Sequence, residues 1–137
     1  LEYGSQIIHA ATTGETEIIY GNVRNIGLIS NLPEWAVVEV ACSVDKNGVQ
    51  PLRFGPLPEH LAAINRKQAS VQHLAVIAAE SMDPEVVFQA MCLDPLTSTV
   101  LCLDDIRSMT RELLSAHDKF LPLEWTGKTL EDQPRFA

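Results

Sequence analysis

A surplus of positive charge is the first thing this sequence lacks: 10 Lys and Arg stand against 18 Asp and Glu, for a formal net charge of −8. No basic stripe interleaved with aromatics can be drawn along the chain, so the electrostatic footprint that holds a phosphate backbone is missing and nucleic acid is excluded as an expected partner. Long apolar runs are missing too. None approaches the ~18 residues needed to cross a bilayer, and no charged segment leads into an apolar one at the N-terminus, so neither a membrane partner nor an exported location is expected. Cytoplasmic localisation is the expectation that remains.

Cysteine is scarce and poorly spaced for chemistry. Cys42, Cys92 and Cys102 are odd in number and contain no CxxC pair, which argues against a disulfide framework and against a zinc site, and fits a reducing compartment. Cys42 and Cys102, set among aliphatic neighbours, are expected to act as small core hydrophobes. The histidines His9, His60, His73 and His117 form no HExxH and no two-His, one-carboxylate grouping. There is no GxGxxG, no phosphate-cradling loop and no GxSxG. These residues alone assemble no complete active site, and no catalytic or metal-binding residue is assigned.

What is present is a globular composition, 46% hydrophobic and 20% charged over 137 residues, a length at which one core is expected. Ile7, Ile8, Ala10 and Ala11 recur at helical spacing from residue 2 to about residue 13, where Gly14 supplies a stop. Glu17 to Asn25 is rich in β-branched and aromatic residues before it dissolves into an Asn- and Gly-rich stretch, and predicts a strand running into a loop. Leu32-Pro33 enforces an extended entry to the next element. Val38, Val40, Cys42 and Val44 then alternate with Glu39, Ala41 and Ser43, the turn Asp45-Lys46-Asn47-Gly48 offers two residues tolerant of positive φ, and an apolar return follows from residue 49 to 54: a β-hairpin with one buried face.

Helical pattern dominates beyond Gly55-Pro56-Leu57-Pro58. Pro58 suits a first helical turn, and Val71, Leu74, Ala75 and Ala78 form a core-facing stripe on a helix from residue 59 to about 80, with Arg66, Lys67 and Gln72 on its polar side. Asp83-Pro84 and Asp94-Pro95 each pair a capping carboxylate with a proline at the first helical position. A last helix is predicted from about 104 to 119, with Ile106, Met109, Leu113 and Phe120 in phase, and residues 126–137 show no period and are expected to be a flexible tail. The order of helix, strands and helices predicts an α+β fold, a small antiparallel sheet with a hairpin packed against several helices.

Two small constellations have ordinary explanations: Asp104-Asp105 diverge on a helix and favour its first turn, and Tyr3 beside Glu2 is better read as a packing tyrosine than as a base. The segment from Gly21 to Asn31 is different in kind. It gathers Asn22, Arg24, Asn25 and Asn31 with two glycines in a connection too elaborate for a simple link, and these four residues are the candidates for contact with a substrate or cofactor cleft. The competing reading is that the Asn side chains bond the backbone of their own loop.

The same segment carries a resemblance. Ile19-Tyr20-Gly21-Asn22-Val23-Arg24-Asn25, Gly27-Leu28-Ile29, Asn31-Leu32-Pro33 and Val38-Glu39-Val40-Ala41-Cys42 follow one another in the order found in family 4 glycoside hydrolases of the α-galactosidase (melibiase) branch. The match runs on through Val44-Asp45, Asn47-Gly48-Val49-Gln50-Pro51, Leu57-Pro58, His60-Leu61-Ala62-Ala63, Asp94-Pro95-Leu96-Thr97 and Leu113-Leu114, about residues 2 to 125. Each block is weak alone, and their shared order and spacing are what make the match specific. Trp35 departs from the pattern, since the family usually has glycine after the Leu-Pro pair, and this leaves the entry to the hairpin in question.

The resemblance implies the C-terminal domain, residues 1–125, of an enzyme that hydrolyses α-galactosides by oxidation and elimination with NAD and a divalent metal, usually manganese. Its metal ligands, base and NAD loop would lie in a preceding domain, so the fragment alone would be inactive and neither cofactor would be held by it. The implied fold resembles the C-terminal domain of lactate and malate dehydrogenases, closing the cleft and supporting a homo-oligomer around a small-molecule glycoside. A chain beginning at Leu1 rather than Met fits a fragment of that kind. The alternatives are the same family with α-glucosidase or α-galacturonidase specificity, and a stand-alone dimerisation module.

Overall fold

The computed structural model describes residues 3–125, 127, 128 and 130. The chain divides into two compact units, residues 1–66 and 67–137. Where one core was expected there are two hydrophobic clusters, one in each unit.

In the first unit, helix α1 (Gly4–Thr13) ends where predicted, with Gly14 in the left-handed region at φ 83° donating its N–H to the Ala10 carbonyl. Strands β1 (Glu17–Arg24), β2 (Val37–Asp45) and β3 (Gly48–Pro51) form an antiparallel sheet in that order. Register places Ile19 opposite Cys42, Gly21 opposite Val40 and Val23 opposite Val38. The inward face of β1 and β2 packs with Ala10 and Ile7 of α1, with Leu28 and Ile29 of the following loop, and with Leu57. Because side chains alternate along a strand, Ile18, Tyr20, Asn22 and Arg24 all point to the other, outward face.

Two expectations for this unit need correction. Strand β1 runs to Arg24, so Asn22 and Arg24, grouped with the loop from Gly21 to Asn31, are strand residues paired with Glu39 and Val37. The return strand ends at Pro51 rather than at Phe54, with one further bond from Leu52 N to the Ala41 carbonyl at 2.8 Å. In the hairpin turn only Gly48 takes a positive φ, 101°, while Asn47 is held by an N–H donated to Asp45 Oδ1 at 2.7 Å, an Asx turn that needs no left-handed residue.

Helix α2 (Glu59–Ser81) begins one residue after Pro58, whose carbonyl accepts from Leu61 and Ala62, so the proline sits at the cap rather than inside the first turn. The boundary between the two units falls within this helix. The second unit continues with α3 (Pro84–Leu93), the short α4 (Thr97–Val100), α5 (Leu103–His117) and two 3-10 turns, Asp118–Phe120 and Leu123–Trp125. Asp83 Oδ1 accepts from Glu85 N at 2.9 Å and Pro84 opens α3, as predicted, whereas Pro95 lies before α4, whose N-cap is Leu96, and Asp94 Oδ1 accepts from Thr97 N at 2.8 Å.

Phe88, Ile106 and Leu130 are the buried centre of this unit, with Met91, Met109 and Leu114 around them. The apolar stripe of α5 is Ile106, Met109, Thr110 and Leu114; Leu113 and Phe120 lie outside it and are exposed. Cys102 is exposed at the start of α5, its thiol 3.0 Å from Asp105 Oδ2, and is therefore no core residue; Cys42 is fully buried, as expected. Of the expected tail, residues 126, 129 and 131–137 lie outside the described residues, whereas Leu130 is buried and its carbonyl accepts from Arg111 Nε at 3.1 Å. Among the described residues no helix is long and apolar enough to cross a membrane.

Candidate functional site

Asn25 follows β1 directly and is only 1% exposed. A buried amide must find partners for two N–H groups and a carbonyl, and the loop supplies all of them from its own backbone. Nδ2 donates to the carbonyls of Ile29 (2.9 Å), Leu32 (3.0 Å) and Pro33 (3.1 Å), and Oδ1 accepts from Ile29 N at 2.7 Å. The Asn25 main-chain N–H donates to Ala36 at 2.8 Å. One side chain thus sets the path of the loop between β1 and β2.

Asn31 does the same across a longer range. Its Nδ2 donates to the Leu57 carbonyl at 2.8 Å and its Oδ1 accepts from Leu57 N at 2.9 Å, a two-point clasp that mimics a strand pair. The main chain reinforces it, with Phe54 N donating to Leu28 and Ser30 N to Gly55. Arg66 Nη1 donates to the Asn31 carbonyl at 2.9 Å while Nη2 is bonded to Glu59 Oε1. The Arg66 guanidinium, first by that hydrogen bond and then by its charge, holds the Glu59 carboxyl below its ordinary range; a weaker hydrogen bond from Asn31 acts in the same direction. Arg66 lies 35 positions from Asn31, on what reads in sequence as the polar side of a helix, and only Glu59, seven residues earlier on that helix, hints that the side chain is committed.

Asn22 and Arg24 stand apart from this lattice. Both side chains are exposed on the outward face of the sheet, Asn22 opposite Glu39 and Arg24 opposite Val37, and Arg24 Nε reaches the Glu34 carbonyl at 3.3 Å. The four candidates therefore fall into two pairs: Asn25 and Asn31 bond backbone, as the competing reading of the loop has it, and Asn22 and Arg24 present polar groups to solvent beside it.

No group of three or more His, Cys, Asp or Glu comes together among the described residues. His9 pairs with Glu15 at 3.2 Å on the surface. Burial pushes the Cys92 thiol up, which keeps it protonated and a poor nucleophile.

Residues 1–97 match the family described as Family 4 glycosyl hydrolase C-terminal domain. An alpha-galactosidase of Bacillus subtilis (strain 168) is 48% identical over 121 residues, covering 88% of this chain and 28% of that protein. An alpha-galactosidase of Rhizobium meliloti (strain 1021) is 33% identical, covering 88% of this chain and 25% of its own. Among solved structures, a putative glucosidase from Bacillus subtilis superposes with a TM-score of 0.74 at 28% identity over 82% of this chain and 25% of its own. A 6-phospho-alpha-glucosidase from gut microorganisms, in complex with NAD and Mn2+, shares the fold with a TM-score of 0.75 at 20% identity, over 86% of this chain and 26% of its own. The chain spans about a quarter of the length of the relatives it matches. It belongs to family 4 of the glycosyl hydrolases, within that family's C-terminal domain.

Proposed function

We propose that the chain is the C-terminal part of an α-galactosidase that hydrolyses α-galactosides by oxidation and elimination, and that its task is to close the cleft and support assembly of a homo-oligomer. The observation that carries this reading is the 48% identity with an alpha-galactosidase, against 27% and 35% with two alpha-galacturonidases. NAD and a divalent metal such as manganese belong to the remainder of the polypeptide. A relative of the same fold was crystallised with NAD and Mn2+, whereas among the described residues of this chain no group of three or more His, Cys, Asp or Glu comes together to hold a metal.

Within that scheme the segment from β1 to β2 borders the cleft. Asn25 and Asn31 hold its backbone in shape, Arg66 fastens it to the start of α2, and Asn22 and Arg24 offer the hydrogen-bonding groups that meet a polyhydroxylated substrate or its cofactor. Loops rigidified from within are suited to this work, because a fixed donor loses little entropy on binding.

Substrate class is tested by assaying the intact enzyme, with NAD and manganese, on aryl α-galactoside, α-glucoside and α-galacturonide side by side. Turnover of the α-galactoside above the other two is the expected result. Preference for either of the others would keep the family and replace the sugar.

A further inference from the structure

The outward face of the β-sheet carries large apolar side chains at high exposure. A strand with one solvated face alternates apolar and polar residues, whereas one covered on both faces reads as a continuous apolar run. Strand β1 carries Ile18-Ile19-Tyr20 after its first residue, Glu17, and β2 opens with Val37-Val38, so both place apolar groups on the face opposite the core. Ile18 is 55% exposed, Tyr20 63% and Val37 67%. The partners of Ile18 and Tyr20 are Ser43 and Ala41, short side chains that leave the two larger ones standing proud on a flat floor. Asn22 and Glu39 form a polar row between Tyr20 and Val37, and Arg24 stands opposite Val37, so exposed apolar groups and polar groups are mixed on this face, as in the interfaces of non-obligate partners.

We propose that this face is the surface on which the preceding part of the same polypeptide docks. About three quarters of the length of the matched relatives lies outside the residues aligned here, which leaves ample chain to cover the sheet. A covalently tethered partner acts at an effective concentration in the millimolar range, far above that of a second copy in solution, and this favours the tethered occupant. Tyr20 and Ile18 are its apolar anchors. Asn22 and Arg24, two and four residues further along the same face, emerge at the rim, where the docking surface passes into the cleft. The inference rests on the chain being part of a longer enzyme and gives that enzyme's internal interface an address.

The test places a photoreactive p-benzoylphenylalanine at position 20 of the intact polypeptide, which keeps an aromatic ring there, and identifies the cross-linked peptides by mass spectrometry after irradiation. Products joining position 20 to peptides that precede residue 1 are expected. Products joining it to a second copy as a covalent dimer, products confined to residues 1–137, or no product above the dark control would overturn the proposal. Should the bulkier ring prevent folding, Tyr20→Cys in the intact polypeptide is expected to react with a maleimide at least about tenfold more slowly in the native state than in guanidinium; comparable rates overturn the proposal. α-Galactosidase activity of the unmodified enzyme is measured in parallel. Cross-links to the preceding part without such activity would sink the substrate assignment and leave the docking face standing, and activity without those cross-links would do the reverse.

Discussion

Asn25 stands against the carbonyls of Ile29, Leu32 and Pro33, and no aliphatic side chain can replace it there. Asn25→Ala strands those acceptors in a buried loop, and a loss of about 2–3 kcal/mol in urea unfolding is expected, since each buried polar group left unpaired costs on the order of 1–3 kcal/mol. Asn22→Ala, on the exposed face, should stay within about 0.5 kcal/mol of the parent. Activity inverts that order: in the intact enzyme Asn22→Ala and Arg24→Ala are expected to lower kcat/KM about tenfold, roughly 1.4 kcal/mol of transition-state stabilisation, with an unchanged thermal midpoint. Unchanged kcat/KM in both would remove them from the cleft. Sequence alone could not sort these residues, because Asn is equally suited to a ligand and to its own backbone, and the deciding partners of Asn31 lie 26 and 35 positions away. Asp94 gives a residue-scale test in pH. The Thr97 N–H holds its carboxyl below its ordinary value, so its contribution to stability is present above the unfolded value near 4 and is lost as pH falls through the folded one. Asp94→Asn keeps a capping oxygen without the titration, and the fall in urea midpoint from about pH 5 to about pH 3 should be shallower than in the parent.

Local chemistry made most elements legible. Gly14 ends α1, Asp83-Pro84 caps α3, and the alternation from Val38 to Val44 fixes the buried face of the hairpin, because each signal acts within a few residues. The misplacements arise where a tertiary partner decides. Leu113 and Leu114 are adjacent, and either could continue the period set by Ile106 and Met109; packing selects Leu114. Ile106→Ala should therefore cost about 2–5 kcal/mol, while Leu113→Ala should cost about 1 kcal/mol or less, both read from denaturant midpoints. Equal losses would put the stripe back on Leu113. Cys102 was misjudged from its aliphatic neighbours Leu101 and Leu103; at the entrance to α5 its thiol meets the Asp105 carboxylate instead, a capping-type contact three residues apart.

At the scale of the molecule, two clusters rather than one core organise 137 residues, and the outward side of the sheet carries aromatic and aliphatic groups at more than half exposure. Length predicts a single core only when every apolar face finds its partner within the chain, and this chain spans about a quarter of the length of its relatives. Family membership was legible because ordered blocks from Ile19 to Pro51 survive in sequence. The most direct measurement compares the 137-residue chain with the same chain continued through its preceding part, each supplied with NAD, manganese and an aryl α-galactoside. Turnover by the longer polypeptide and none by the shorter is predicted. Turnover by the 137-residue chain alone, or none by the longer one, would contradict the assignment of catalysis to an α-galactosidase that this chain completes but does not constitute.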